Sequence, residues 1–214
     1  DMTGSELLLL HPPSVYDFRK ETVMWGPVSD VIPATPVFEI YPIGFLTIAE
    51  YLERHGFRVR IFNAAVRMLL SARFDLRKFL ASQDAPAVGI ALHWLVHAHG
   101  ALALADLVKE VNPRAKVVLG GISSTYYHEE LLRDYPHVDF VLRGDSTEVP
   151  MLQLVEALGK GGPLEKVENL TWRDGSKVRS NPLSHVPDDL DHINIDYRVM
   201  LRSTVRHRDI KSQL

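Results

Sequence analysis

Val88-Gly89-Ile90-Ala91-Leu92, then Ala101, Leu104, Ala105, Val108 and Val111 on one stripe, then Asn112-Pro113 and Lys116-Val117-Val118-Leu119-Gly120-Gly121: residues 88–121 read strand, helix, strand. The first run is apolar throughout, as a strand covered on both faces requires. The stripe follows helical spacing, and the residue before proline stops it. A strand that returns through a helix belongs to a parallel sheet with right-handed crossovers.

The same alternation extends outward in both directions. Leu7 to Leu10 forms strand one, ended by His11-Pro12-Pro13. Residues 14–41 show no period and hold Gly26, Pro27, Pro33 and Pro36, a loop long enough to suggest function. Phe45, Ile48, Ala49 and Leu52 then give helix one, stopped at His55-Gly56. Phe57 to Phe62 reads as strand two, with Arg58 and Arg60 marking an edge. A single second helix is expected over 66–80, a short helix over 127–133, strand five over 138–142 and a last helix over 149–158. Pro150 falls in that helix's first turn, behind Ser146 and Thr147.

Beyond Gly159-Lys160-Gly161-Gly162 the pattern changes. Val167 to Trp172, Asp174-Gly175 and Ser176 to Val178 read as a hairpin. Residues 182–201 are polar and irregular, and 202–214 are charged with weak periodicity. The expected fold is α/β: a three-layer, flavodoxin-like (Rossmann-like) doubly wound parallel sheet, strand order 2-1-3-4-5, with a C-terminal β-hairpin and linker. Residues 5–160 form the α/β domain in this reading, and 161–214 the hairpin and linker.

Composition narrows the functional classes. With 46% hydrophobic and 24% charged residues in 214, the chain has enough apolar material for one full core. A net charge of -3 gives no basic footprint for nucleic acid or an anionic membrane. No apolar run reaches the length of a membrane span, and no signal segment is visible at the start. The absence of cysteine rules out disulfides and thiolate-held clusters in these residues and fits a cytoplasmic protein.

In an open parallel sheet, ligands bind outside the carboxyl ends of the strands at the topological switch point. The candidate binding residues are therefore Pro12 and Pro13 after strand one, Asn63 and Ala64 after strand two, and His93 and Trp94 after strand three. Gly120, Gly121, Ser123 and Ser124 follow strand four, and Gly144, Asp145 and Thr147 follow strand five. Glycines allow close backbone approach to a ligand, and the hydroxyls offer hydrogen bonds. The same residues equally serve as ordinary turns and helix caps.

His93, His97 and His99 cluster after strand three, but without metal-site spacing, so no metal site and no catalytic residue is assigned. Tyr126, Tyr127 and Trp172 read as core or hairpin packing. Other folds of this topology fit poorly. A phosphoacceptor receiver needs acidic residues where this chain has His11 and His93, and a dinucleotide site needs a G-x-G-x-x-G at the first turn.

Pro42-Ile43-Gly44-Phe45-Leu46 through His55-Gly56 and Val59-Arg60-Ile61-Phe62-Asn63-Ala64 resembles the opening of cobalamin-binding radical S-adenosylmethionine enzymes. Val88-Gly89-Ile90, Val117 to Gly121, and Asp139 to Asp145 with Glu148 are similar to that family's later segments. Residues 169–191 resemble the linker that precedes its radical barrel. The resemblance covers about residues 7–201 and rests on order and spacing.

It implies a cobalamin-binding module whose partner is its own radical domain. S-adenosylmethionine and a 4Fe-4S cluster would belong only to that domain, downstream of this chain, and the fragment alone would not be a catalyst. The implied parent chemistry is methyl transfer or anaerobic tetrapyrrole cyclisation. The sequence contains no Asp-x-His-x-x-Gly; the turn after strand two reads Asn63-Ala64-Ala65-Val66-Arg67-Met68. The resemblance thus implies base-off binding without a lower-axial histidine. Tyr16, Phe18, Met24, Trp25 and Phe38 of the long loop either wall a corrin face or pack the loop onto the sheet. The competing reading is an interaction domain that kept the fold and lost the corrinoid.

Overall fold

A computed structural model describes residues 5–20 and 43–208. One seven-stranded sheet runs in the order β2-β1-β3-β4-β5-β6-β7. Strands β1 (Leu7–His11), β2 (Val59–Asn63), β3 (Ala87–Ala91), β4 (Lys116–Gly120) and β5 (Phe140–Leu142) pair in parallel, with Leu9 beside both Ile61 and Gly89. The expected order of the first five strands is therefore the observed one. Strands β6 (Leu170–Asp174) and β7 (Lys177–Ser180) form the hairpin, turning at Gly175, and β6 adds antiparallel to β5.

The leucine run of β1 has no polar position because both of its faces are covered. Leu8 and Leu10 join one core with Phe62, Ile90, Leu104, Val117 and Leu119. Leu7 and Leu9 join the other with Ile61, Ala87, Val118 and Leu142. The pleat sends alternate residues to opposite layers, and burying each leucine contributes about 1.5–3 kcal/mol. Helices α2 (Ala64–Leu70), α3 (Leu76–Ala81), α4 (Ala98–Val111) and α6 (His128–Asp134) cover the first face. Helices α1 (Ile43–Arg54) and α7 (Glu148–Lys160) cover the second.

Three elements differ from expectation. The helix expected over 66–80 is two helices. Asp75 caps α3 by accepting from the Lys78 N–H, while Arg19 Nη1 takes the carbonyls of Ser71, Ala72 and Phe74 that a continuous helix would have used. A short helix α5 (Ile122–Tyr126) precedes α6. The irregular tail contains α8 (Tyr197–His207), started by Asp196, whose carboxylate accepts from the Arg198 N–H. Val199 of α8 is fully buried in the second core, and Arg202 pairs with Glu53 of α1 at 3.0 Å. No helix among the described residues is long and apolar enough to cross a membrane.

Candidate functional site

Strands β1 and β3 lie side by side, yet the chain leaves them toward opposite flanks of the sheet, which makes their carboxyl ends the switch point. A cavity of about 360 Å³ opens there. Its floor is Leu9 and His11 of β1, Gly89 and Ala91 of β3, Val118 and Gly120 of β4 and Leu142 of β5. Phe45 and Ile48 of α1 form one wall, and Thr147 with Met151 of α7 the other. Ile43, Gly44, Ile90, His93, Trp94, His97 and Gly121 complete the lining. The chamber is apolar apart from its histidines and Thr147, the balance of a small-molecule site in which few polar groups set orientation.

Of the residues expected at the site, His93, Trp94, Gly120, Gly121 and Thr147 line this cavity. Gly121 has φ +114, and a Cβ there would lie 2.6 Å from the His93 Cα. The loops after β3 and β4 thus touch backbone to backbone. Gly120 differs: a Cβ on it would meet nothing within 4 Å, so neither its conformation nor its neighbours demand glycine.

The other expected residues direct their polar groups to nearby backbone and side chains, in their own loop or the next one. Pro12 and Pro13 are buried, and the Pro13 carbonyl packs on Gly100, where a Cβ would come within 1.7 Å of it. Asn63 Oδ1 accepts from the Val66 N–H at 3.0 Å and caps α2, burying Ala64 beside it. Ser123 Oγ donates to the His93 carbonyl and Ser124 Oγ to that of Gly121. The Gly144 N–H donates to Thr125 Oγ1, and Asp145 is exposed.

The three clustered histidines diverge. His93 is exposed at the mouth, and His97 is buried with its ring edge-on to His11 at 5.3 Å. His99 Nδ1 faces the Tyr16 N–H at 3.4 Å. Among the described residues no group of His, Asp or Glu is placed to hold a metal ion.

Tyr16 and Phe18 pack against the core under α2, α3 and α4, away from the cavity, whereas Met24, Trp25 and Phe38 lie outside the described residues. Trp172 is buried as expected, but Tyr126 is 81% exposed. Short α5 buries Ser124 and turns its last residues outward. Sequence reasoning missed the floor and walls, namely Leu9, Gly89, Ala91, Val118, Phe45, Ile48 and Met151. The available signal was the small pair Gly89 and Ala91, two apart on β3 and so on one face.

An uncharacterized methyltransferase of Pyrococcus horikoshii is 27% identical over 195 residues, covering 91% of this chain and 38% of that protein. The anaerobic magnesium-protoporphyrin IX monomethyl ester cyclase of Rubrivivax gelatinosus is 34% identical over 100 residues, covering 44% of this chain and 18% of the cyclase. The chain thus spans well under half of each of these relatives. Two solved structures share the fold. The radical S-adenosylmethionine methyltransferase TsrM of Kitasatospora setae, with cobalamin and a 4Fe-4S cluster bound, superposes with TM-score 0.58 at 16% identity over 86% of this chain and 30% of TsrM. The cobalamin-dependent S-adenosylmethionine radical enzyme OxsB, with aqua-cobalamin and S-adenosylmethionine bound, gives 0.61 at 14% over 96% of this chain and 26% of OxsB. Residues 29–152 match the B12 binding domain, and the chain belongs to that family.

Proposed function

We propose that this chain holds cobalamin in the base-off form, without a lower-axial histidine from the turn after β2. The observation that carries the reading is the apolar cavity between β3 and the helices α1 and α7, with Gly120 open toward it. A detached aromatic base suits an apolar chamber of this size, whereas a whole corrinoid exceeds it. His93 and Trp94, with Gly120, Gly121 and Thr147 of the lining, would hold the cofactor, and Leu9, Gly89, Val118 and Met151 would surround its base. Asn63 Oδ1 is engaged in capping α2.

Bound cobalamin supplies a cobalt centre able to carry a methyl group or an electron. The chain's own residues bind and orient that cofactor and exclude water from its base. In this proposal residues 5–160 are the binding domain, and 161–214 lead to a radical domain that holds S-adenosylmethionine and the 4Fe-4S cluster. The cysteine-free residues here do not hold that cluster. Methyl transfer or cyclase-type chemistry belongs to that larger protein.

The test is retention. Protein incubated with hydroxocobalamin and desalted should keep the visible absorbance of one corrinoid per chain, with slowed amide exchange at 120–124. Colourless protein at micromolar concentration overturns the reading and favours an interaction domain that has lost the corrinoid.

A further inference from the structure

One buried carboxylate lies behind the cavity, against both of its helical walls. Glu148 opens α7, beside Thr147 of the lining, and is 4% exposed. Its Oε1 accepts from Thr47 Oγ1 of α1 at 2.6 Å, and its Oε2 accepts from Ser146 Oγ at 2.7 Å. Thr47 Oγ1 also lies 3.0 Å from the Gly44 carbonyl, but a hydroxyl has one proton and the carboxylate is nearer. Ser146 Oγ in turn accepts from His192 Nε2 at 3.2 Å. A donor chain therefore runs from His192 through Ser146 to Glu148, and a second donor comes from α1.

The segment that carries His192 is fixed at two further points. The His192 carbonyl accepts from Arg54 Nη2 of α1 at 2.7 Å, and Asn169 Oδ1 accepts from the His185 N–H at 3.0 Å. Burying a carboxylate costs free energy that apolar packing of α1 on α7 would avoid. The arrangement instead ties three things at one group: the wall carrying Phe45 and Ile48, the wall carrying Thr147 and Met151, and the segment after the hairpin.

We propose that Glu148 is a positioning residue. It sets the spacing of α1 and α7 at the cavity and couples that spacing to the seating of residues 185–195, so that release of the cofactor depends on how this segment is seated. The second half rests on the reading that the cavity takes a corrinoid. Thr47→Val removes one donor at nearly constant shape, and Thr47→Ser restores it.

In the ligand-free chain, Thr47→Val and Glu148→Gln should speed exchange of the Ile193 amide, which is bonded to the Leu190 carbonyl, by about ten-fold, with Thr47→Ser close to wild type. In hydroxocobalamin-loaded chain, Thr47→Val should release corrinoid faster by a similar factor, followed by the loss of visible absorbance on dilution. Unchanged exchange at Ile193 in Thr47→Val overturns the coupling. Faster exchange with wild-type release and a lowered urea midpoint reduces Glu148 to a structural group and also overturns the proposal. If the wild-type chain retains no corrinoid, the binding reading fails while the exchange comparison still decides the coupling. If Glu148→Gln does not fold, the Thr47 pair carries the test.

Discussion

The Cα of His93 lies 2.6 Å from where a Cβ on Gly121 would stand, so the loops after β3 and β4 touch backbone to backbone. Gly121 also has φ +114, a conformation other residues adopt only under strain. Gly121→Ala combines that strain with a steric conflict and should destabilise the fold by about 2–4 kcal/mol. Its neighbour gives the contrast. Gly120→Ala meets open space and should leave the unfolding free energy within about 0.5 kcal/mol of wild type while weakening hydroxocobalamin retention. Unchanged retention in Gly120→Ala would refute the proposed contact of Gly120 with the cofactor, and equal stability losses for the two variants would refute the contrast in packing.

Arg19 holds the break between α2 and α3. Its guanidinium forms two bonds with buried Asp17 at 2.8 Å and gives Nη1 to the carbonyls of Ser71, Ala72 and Phe74. A lysine cannot reproduce that fork, so Arg19→Lys should cost about 2 kcal/mol and speed amide exchange at 71–75. Burial pushes the Asp17 carboxyl up, but its hydrogen bonds and charge contact with Arg19 outweigh this and hold it below its ordinary value. A depressed carboxylate stabilises the fold above its unfolded value of 3.8 and loses that contribution as pH falls through the folded value. In Arg19→Lys this lowest acid step should shrink, as read by urea midpoints on the acid side.

Two histidines set a separate acid limb at higher pH. Burial, aided by the charge of Arg143, holds His128 below its ordinary value, and burial does the same to His137 against the pull of Asp106. The unfolded chain then binds more protons than the folded one below the ordinary value of 6.5. Stability from these groups is complete above that value and is lost as pH falls toward the depressed ones. Urea midpoints should decline from about pH 7 to pH 5, and the double variant His128→Gln, His137→Gln should flatten that decline. An unchanged slope would exclude both groups as its source.

The sheet was legible because β3 is apolar at every position and β1 and β4 are apolar except at one end, His11 and Lys116, and such runs have one use in a chain of alternating strands and helices. The break at 71–75 was not legible, since the group that takes its carbonyls, Arg19, stands 52 residues earlier in the chain. Helix α8 was missed because its buried residues are only Val199 and Ser203, too few to print a stripe. Strand-end position picked out five residues that line the cavity, His93, Trp94, Gly120, Gly121 and Thr147. It could not separate them from Asn63 or Ser124, because whether a loop side chain faces the cavity or its own backbone depends on local hydrogen bonds. The floor escaped notice for a different reason: Leu9, Gly89 and Val118 have the composition of any buried strand.

Asn169 carries the last prediction. It is fully buried with φ 60, and its side chain joins the loop after β5 to the segment after the hairpin. Nδ2 donates to the carbonyls of Arg143 at 3.1 Å and His185 at 2.8 Å, while Oδ1 accepts from the His185 N–H at 3.0 Å. Asparagine tolerates this left-handed conformation better than alanine does, and glycine better still. Asn169→Ala should therefore lose the bonds and add backbone strain, costing about 3 kcal/mol, whereas Asn169→Gly loses the same bonds without the strain and should cost about 1 kcal/mol less. Asn169→Asp keeps the acceptor but turns a carboxylate oxygen toward two carbonyls, and should be the least stable of the three. Urea denaturation of the three variants gives the order directly. If alanine and glycine prove equal, the conformation at 169 costs nothing and the hydrogen bonds alone explain why asparagine stands there.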